Sequence, residues 1–355
     1  MTPAVLTARL GPPQRDGSLI LYPLFSDPAV ATPQSPQNDG GRTFRTRPYL
    51  TLAESQAVPT GSVRFTEKGS GQVPVLELHN LGDDPVLVLA GEIVEGNLQN
   101  RSVNVSLIAP AHSHLEIPVS CVEQGRWRAA RARTDGETFA PPPDPPLAPR
   151  MHVPPQVRRA QAAGVAKSVR RGTGKRSAQA AVWDAVSAEL AAARVVSATQ
   201  DLTESYSAVC AGDDAETAPS ASQLRPVRDQ VGVVAAVGDQ VLALDLFDSP
   251  ATLMGYWDGL VAGYAFDAAH REAGPAGPNG VDPQADGRVW RRPSDERAIQ
   301  AAVESFLQHV LAAEQIRTPG VGVGFELHLD TAVVVGSGLI WQNRLIHLAA
   351  HPAAA

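Results

Sequence analysis

Cysteine is almost absent. Cys121 and Cys210 are the two in 355 residues, which excludes a disulfide framework and a four-cysteine zinc site. Lysine is nearly as scarce, at Lys68, Lys167 and Lys175. No apolar run reaches the roughly 18 residues of a membrane helix, and the best candidate, TAVVVGSGLIW, stops well short. The opening residues MTPAVLTARLGPPQRDG lack the charged start and long apolar stretch of a signal peptide. These absences lead to the expectation of a cytoplasmic protein in a reducing compartment, with no membrane partner.

What is present is enough for a core. Hydrophobic residues make up 43% and charged ones 19%, so wholesale disorder is excluded. The length suits two domains or one elaborated fold. Thirty glycines and thirty prolines predict many turns and a loose connector. The net charge of −7 hides an asymmetry: residues 126–176 hold twelve Arg or Lys against Asp135, Glu137 and Asp144. Such a block can hold a polyanion by charge neutralisation. A solvated, arginine-rich helix and linker is the plainer reading, so nucleic acid is not the expected partner.

The chain changes character along its length. From Tyr49 to Trp127, VPVLELHN, PVLVLAGEIV, RSVNVSLIAP and LEIPVSCVE read as short strands, and LGDDP makes 73–94 a hairpin. Helical spacing starts near Gln156 and strengthens after Ser177, a candidate N-cap. VGVVAAVGDQVLALDLF reads as two strands joined at Gly238-Asp239. Helices follow at about 250–271 and 294–316, then strands in VGFELHLD, AVVVGSGLIW and RLIHLAA. The fold class expected is α+β: an antiparallel β-rich core, sandwich or partial barrel, with helices packed on one side. Residues 1–137 form the N-terminal β-rich region, 138–157 a Pro-rich linker or loop, and 158–355 the helices and C-terminal hairpins. The last region completes one composite fold with the first.

The densest polar cluster lies in GEIVEGNLQNR and CVEQGRW. Half-buried strands do not spend long polar side chains without hydrogen-bonded partners. Glu92 and Glu123 are candidates for acid-base catalysis. Arg101 and Arg126 can hold an anion, and Gln99, Asn100, Gln124 and Trp127 can orient a ligand. The same parts also make a salt-bridge network tying hairpins together, and whether the chain is an enzyme stays open. If Ala111–His114 is a turn between two strands, Arg101 should approach Glu123 or Gln124, far from His112 and His114.

The pairing of these two motifs, followed by QAAVW at 179–183, resembles a prokaryotic family. It is the ADP-ribosylglycohydrolase- and rhodanese-phosphatase-associated protein domain. The resemblance covers roughly 45–200 with specific motifs and continues with weaker ones to about 350. It implies association with proteins that handle ADP-ribose and NAD, hence a nucleotide-like small molecule as ligand or substrate. It carries over no reaction and no cofactor. The alternatives are a non-catalytic binding or scaffold module, or polyanion binding through 126–176.

Other signals are weaker. Cys121 has no glycine elbow or helix N-terminus beside it, so a buried strand thiol is the better reading. His112, His114 and Glu116 alternate, but AHSHLE reads as a loop tip, and no metal site is assigned there. RGTGKRS at 171–177 lacks the first glycine and the Ser or Thr after Lys175 that a phosphate-binding loop needs. Oligomeric state is not legible.

Overall fold

A computed structural model describes residues 7–26, 47–58, 62–95, 99–125, 151–211, 224–273 and 296–354. Its centre is a large antiparallel sheet that joins the two ends of the described chain. β1 (Ala8–Leu10), β2 (Gln14–Asp16) and β3 (Leu19–Ser26) lead into β12 (Gln230–Val237) and β13 (Gln240–Phe247). β14 (Gln315–Pro319), β15 (Phe325–Asp330), β16 (Val334–Trp341) and β17 (Arg344–Pro352) complete it. The order is β1-β3-β12-β13-β17-β16-β15-β14, with β2 on β3. The turn between β12 and β13 falls at Gly238, whose φ of 58° suits glycine.

Helices cover both faces of this sheet, not one. Successive residues of β12 are buried throughout, so each face needs its own apolar cover. On one face α5 (Pro250–Ala273) packs Leu253, Trp257, Leu260 and Tyr264 against Leu19, Leu21, Val233 and Ala235. On the other, α6 (Glu296–Ala312) packs Ile299, Val303, Phe306 and Val310 against Ile20, Val234, Leu244 and Leu348. No helix among the described residues is long and apolar enough to cross a membrane.

The region 50–121 forms two smaller sheets. One holds β5 (Val63–Gln72), β6 (Val75–Asn80), β11 (Ser113–Cys121), β9 (Arg101–Val103) and β8 (Ile93–Val94), in that order. The other is β10 (Leu107–Ala109), β7 (Val86–Val88) and β4 (Leu50–Thr51), with α1 (Leu52–Gln56) following directly. The expected hairpin over 73–94 is therefore absent. LGDDP does turn the chain, but β6 pairs with β5 and β11 while β7 pairs with β10 and β4. The buried amide of Asn80 makes the corner, donating to the carbonyls of Asp84, Ala109 and Pro110. Both sheets pack on one core that includes Leu76, Leu78, Val86, Val88, Val103, Leu107 and Ile117.

Three further helices occupy the middle of the chain: α2 (Pro155–Arg170), α3 (Gln179–Ala192) and α4 (Leu202–Ala211). Pro155 opens α2, where a missing N–H costs nothing. Ser177 does not cap α3. The N-cap is Ala178, and the Ser177 hydroxyl instead meets Ser120 of β11. Most of the Pro-rich stretch 138–157 lies outside the described residues. Its end returns to the sheet, Val153 N–H donating to the carbonyl of Gly91.

Candidate functional site

β9 and β11 run antiparallel with Arg101 opposite Cys121 and Val103 opposite Val119. That register brings the two polar motifs together. Gln99 Nε2 donates to the Gln124 carbonyl at 3.3 Å, and the Asn100 backbone N–H donates to Glu123 Oε2 at 3.0 Å. Val122 N–H returns to the Asn100 carbonyl at 3.0 Å. The guanidinium of Arg101 is wholly buried. It donates from Nε to Cys121 Sγ at 3.2 Å and from Nη1 to Glu67 Oε1 at 3.1 Å. Arg101 was expected to reach Glu123 or Gln124. Its ion pair is with Glu67 of β5, at the point where the β5–β6 register breaks, and it shares the surroundings of Cys121 with Glu123.

The helical region is fastened to the same place. Asp201 precedes α4 and accepts from the backbone N–H and hydroxyl of Thr203 at 3.0 and 2.8 Å. The Asn100 side-chain Nδ2 donates to both Asp201 oxygens at 3.2 and 3.0 Å. Gln179, the first residue of α3, accepts from Cys121 N–H and donates to its carbonyl, at 2.9 and 2.8 Å. Gln124 and Gly125 both donate their N–H to the Thr199 carbonyl. Glu67, Asp201 and Thr203 were missed in the sequence. Asp201 carried a usable signal, since Asp-Leu-Thr-Glu before an apolar run marks a helix start.

Chemically, this cluster holds its reactive groups back. Glu123 is 2% exposed. Burial pushes the Cys121 thiol up to about 11, against the opposing pull of Arg101, so the thiol is not a thiolate at neutral pH. Burial also raises the Glu67 carboxyl despite the arginine beside it.

Glu92 is not part of this cluster. Its side chain, 2% exposed, accepts the Leu89 N–H at 2.7 Å, and its backbone bridges to His152. Arg126 and Trp127 lie outside the described residues.

Beside Glu92 stands a second polar centre that sequence reasoning passed over. It fills the space between α2 and one face of the large sheet. Asp245 of β13 accepts from Arg158 Nη1 through both oxygens, at 2.7 and 3.0 Å, and from the Tyr264 hydroxyl. His347 Nε2 lies 3.3 Å from Asp245 Oδ1, and His347 Nδ1 lies 2.9 Å from Ser106 Oγ. Ala90 N–H donates to that same Oγ at 2.9 Å. The two ring nitrogens of His347 thus link Ser106 to Asp245. Burial opposes ionisation of Asp245, but Arg158 and His347 outweigh it and hold its carboxyl well below the usual range. His351, also lining this space, is pushed down to about 3, first by burial and then by Arg158. A serine–histidine–aspartate relay is present in outline. Its aspartate is already committed to a guanidinium and a phenol, and all three members are buried.

The basic segment supplies this centre and its flank. Arg158, Arg170 and Lys175 pair with Asp245, Asp330 and Glu326 of the large sheet, at 2.7, 3.0 and 2.7 Å. RGTGKRS is the turn between α2 and α3, with Gly172 and Gly174 at positive φ.

The model of the ARPP-1 domain, described as the ARG and Rhodanese-Phosphatase-superfamily-associated Protein domain, matches residues 7–351. The chain belongs to the ARPP-1 family. The match runs from β1 into β17, and both polar centres of the ARPP-1 fold fall within it. No curated protein and no solved structure matched the chain.

Proposed function

We propose that this ARPP-1 domain is a non-catalytic binding or scaffold module of the cytoplasm, in which the polar residues of the two motifs hold the fold together. The observation that carries this reading is the environment of Glu123. It is buried, it accepts the Asn100 backbone N–H, and its backbone bridges to Asp201. Its carboxylate ties the segment entering β9 to the one leaving β11, and its backbone joins both to the start of α4. It has no open side on which to take a proton from a substrate.

A second reading rests on the residue types at Gln99, Asn100 and Arg101, and it requires a ligand to displace their present partners Gln124, Asp201 and Glu67. Amide and guanidinium groups in that order suit a nucleotide-like small molecule, which is the ligand class the family's name points to in NAD- and ADP-ribose-linked metabolism. In that reading Glu123 is the acid-base group, Arg101 and Arg126 hold the anion, and Gln124 and Trp127 orient the ligand, while Glu92, expected as its partner, stands apart. Polyanion binding through 126–176 has less support, because Arg158, Arg170 and Lys175 spend their charge on acids of the sheet.

Denaturation of Glu123→Gln and Arg101→Ala, run beside a thermal-shift screen of NAD, ADP-ribose and other nucleotides, separates the two. The scaffold reading expects Arg101→Ala to lose about 3–5 kcal/mol and no nucleotide to shift the wild-type midpoint. Saturable stabilisation by a nucleotide, abolished in a Glu123→Gln protein of unchanged stability, would establish the second reading instead.

A further inference from the structure

On β6 and β11, His79 and His114 are directly paired, and Glu77 lies two residues from His79 on the same face. The opposite face of these strands carries Leu76, Leu78 and Ile117 into the core, so the histidine face is the open one. The two imidazoles stack in parallel with centroids 4.2 Å apart and planes inclined by 11°. Both turn Nε2 toward one oxygen. Glu77 Oε2 lies 3.7 Å from His79 Nε2 and 3.4 Å from His114 Nε2. One donor atom from each of the three residues lies within 4.8 Å of the other two.

The two oxygen–nitrogen separations are close to one edge of a coordination sphere, and turning the rings out of their parallel stack aims both in-plane lone pairs at one ion. Zinc–nitrogen and zinc–oxygen bonds of about 2.1 Å place neighbouring ligand atoms of a tetrahedron about 3.4 Å apart. We propose that Glu77, His79 and His114 form a binding site for a divalent transition-metal ion of the zinc type on this open sheet face. Two imidazoles and one carboxylate suit such an ion and not magnesium or calcium, which take oxygen ligands. Three protein donors leave the fourth position facing solvent, where a water or a group from another molecule completes the sphere.

The surroundings fit this assignment. Thr66, opposite Glu77 on β5, sets its hydroxyl 3.1 Å from His79 Nε2 and 3.4 Å from Glu77 Oε2, so without an ion it hydrogen-bonds the donor atoms that a bound ion takes over. Lys68 is neutralised by Glu116, and Arg64, opposite His79, is exposed. The set is not the alternating His112–His114–Glu116 run of the sequence. His112 sits in the turn at φ 52° and bonds Asp83 at 2.9 Å.

The test uses the full chain without a histidine tag, stripped by chelator and titrated with ZnCl2 in a calorimeter. One equivalent of Zn2+ is expected to bind, with at least a tenfold loss of affinity in His79→Ala and in His114→Ala. His112→Ala should bind as the wild type does. Replacement by Co2+ should give the intense visible absorption of a tetrahedral site, reduced in Glu77→Gln. These side chains lie on the open sheet face, and circular dichroism melts verify that each variant folds. Absence of saturable zinc uptake by the wild type overturns the proposal. Uptake undiminished in a folded His79→Ala, His114→Ala double variant overturns it equally.

Discussion

Arg158 of α2 clasps Asp245 of β13 through both carboxylate oxygens, at 2.7 and 3.0 Å, with neither side chain reaching solvent. Tyr264 of α5 and His347 of β17 close on the same aspartate. One carboxylate thus joins two helices and two strands. Removing the guanidinium strands a buried charge, and Arg158→Ala is expected to cost about 3–5 kcal/mol. Urea denaturation measures it. A loss under about 1 kcal/mol would mean that the interior holds Asp245 without its arginine.

Two groups in this centre make stability fall in acid. Asp245 has a folded-state pKa below its unfolded value. Its contribution is complete above about pH 4 and declines as the pH drops further. His351, held at about 3, is neutral in the fold and takes a proton only when unfolded between about pH 6.5 and 3. Across that window it lowers stability by up to about 1.4 kcal/mol per pH unit. His351→Gln should flatten the limb from pH 6 to 4, and Asp245→Asn the limb below 4. Denaturation midpoints against pH decide both, and an unchanged upper limb in His351→Gln would remove His351 from the account.

Cys121 should resist labelling. Its thiol is buried, bonded to Gln99 Oε1 at 2.9 Å and raised to about 11. In a Cys210→Ser background, native protein at pH 7.5 should react with a disulfide reagent at least a hundredfold more slowly than protein in denaturant. Comparable rates would mean the β9–β11 end opens readily.

Gly91 shows how tightly α2 meets the strands. Its φ is +91°, and a Cβ there would stand 2.7 Å from Arg158 Cδ. Gly91→Ala combines backbone strain with displacement of the arginine, and a loss of about 2–4 kcal/mol is expected. A thermal melt checks it, and a neutral result would show that the contact yields.

Much of the fold was written locally. The run VGVVAAVGDQVLALDLF, split by one glycine at positive φ, marks the β12–β13 hairpin in the sequence itself. α3 followed from its apolar spacing, and α2, α5 and α6 were also placed from the sequence. The meeting of the QNR and CVEQ segments was also legible, because two strand lengths and a turn separate them. Partners across the chain were not. LGDDP looks the same whether the next strand folds back or passes to another sheet, and Asn80, joined to carbonyls 29 and 30 residues away, decides it. Nothing near Arg101 indicates Glu67, and nothing near His347 indicates Ser106, 241 residues earlier. His79 and His114 gain meaning only as opposed residues on neighbouring strands. Backbone periodicity is a property of neighbours in sequence, so sequence determines the elements and the faces they present. Ion pairs, relays and ligand sets belong to side chains that meet once sheets have chosen their order, and only the tertiary structure makes that choice.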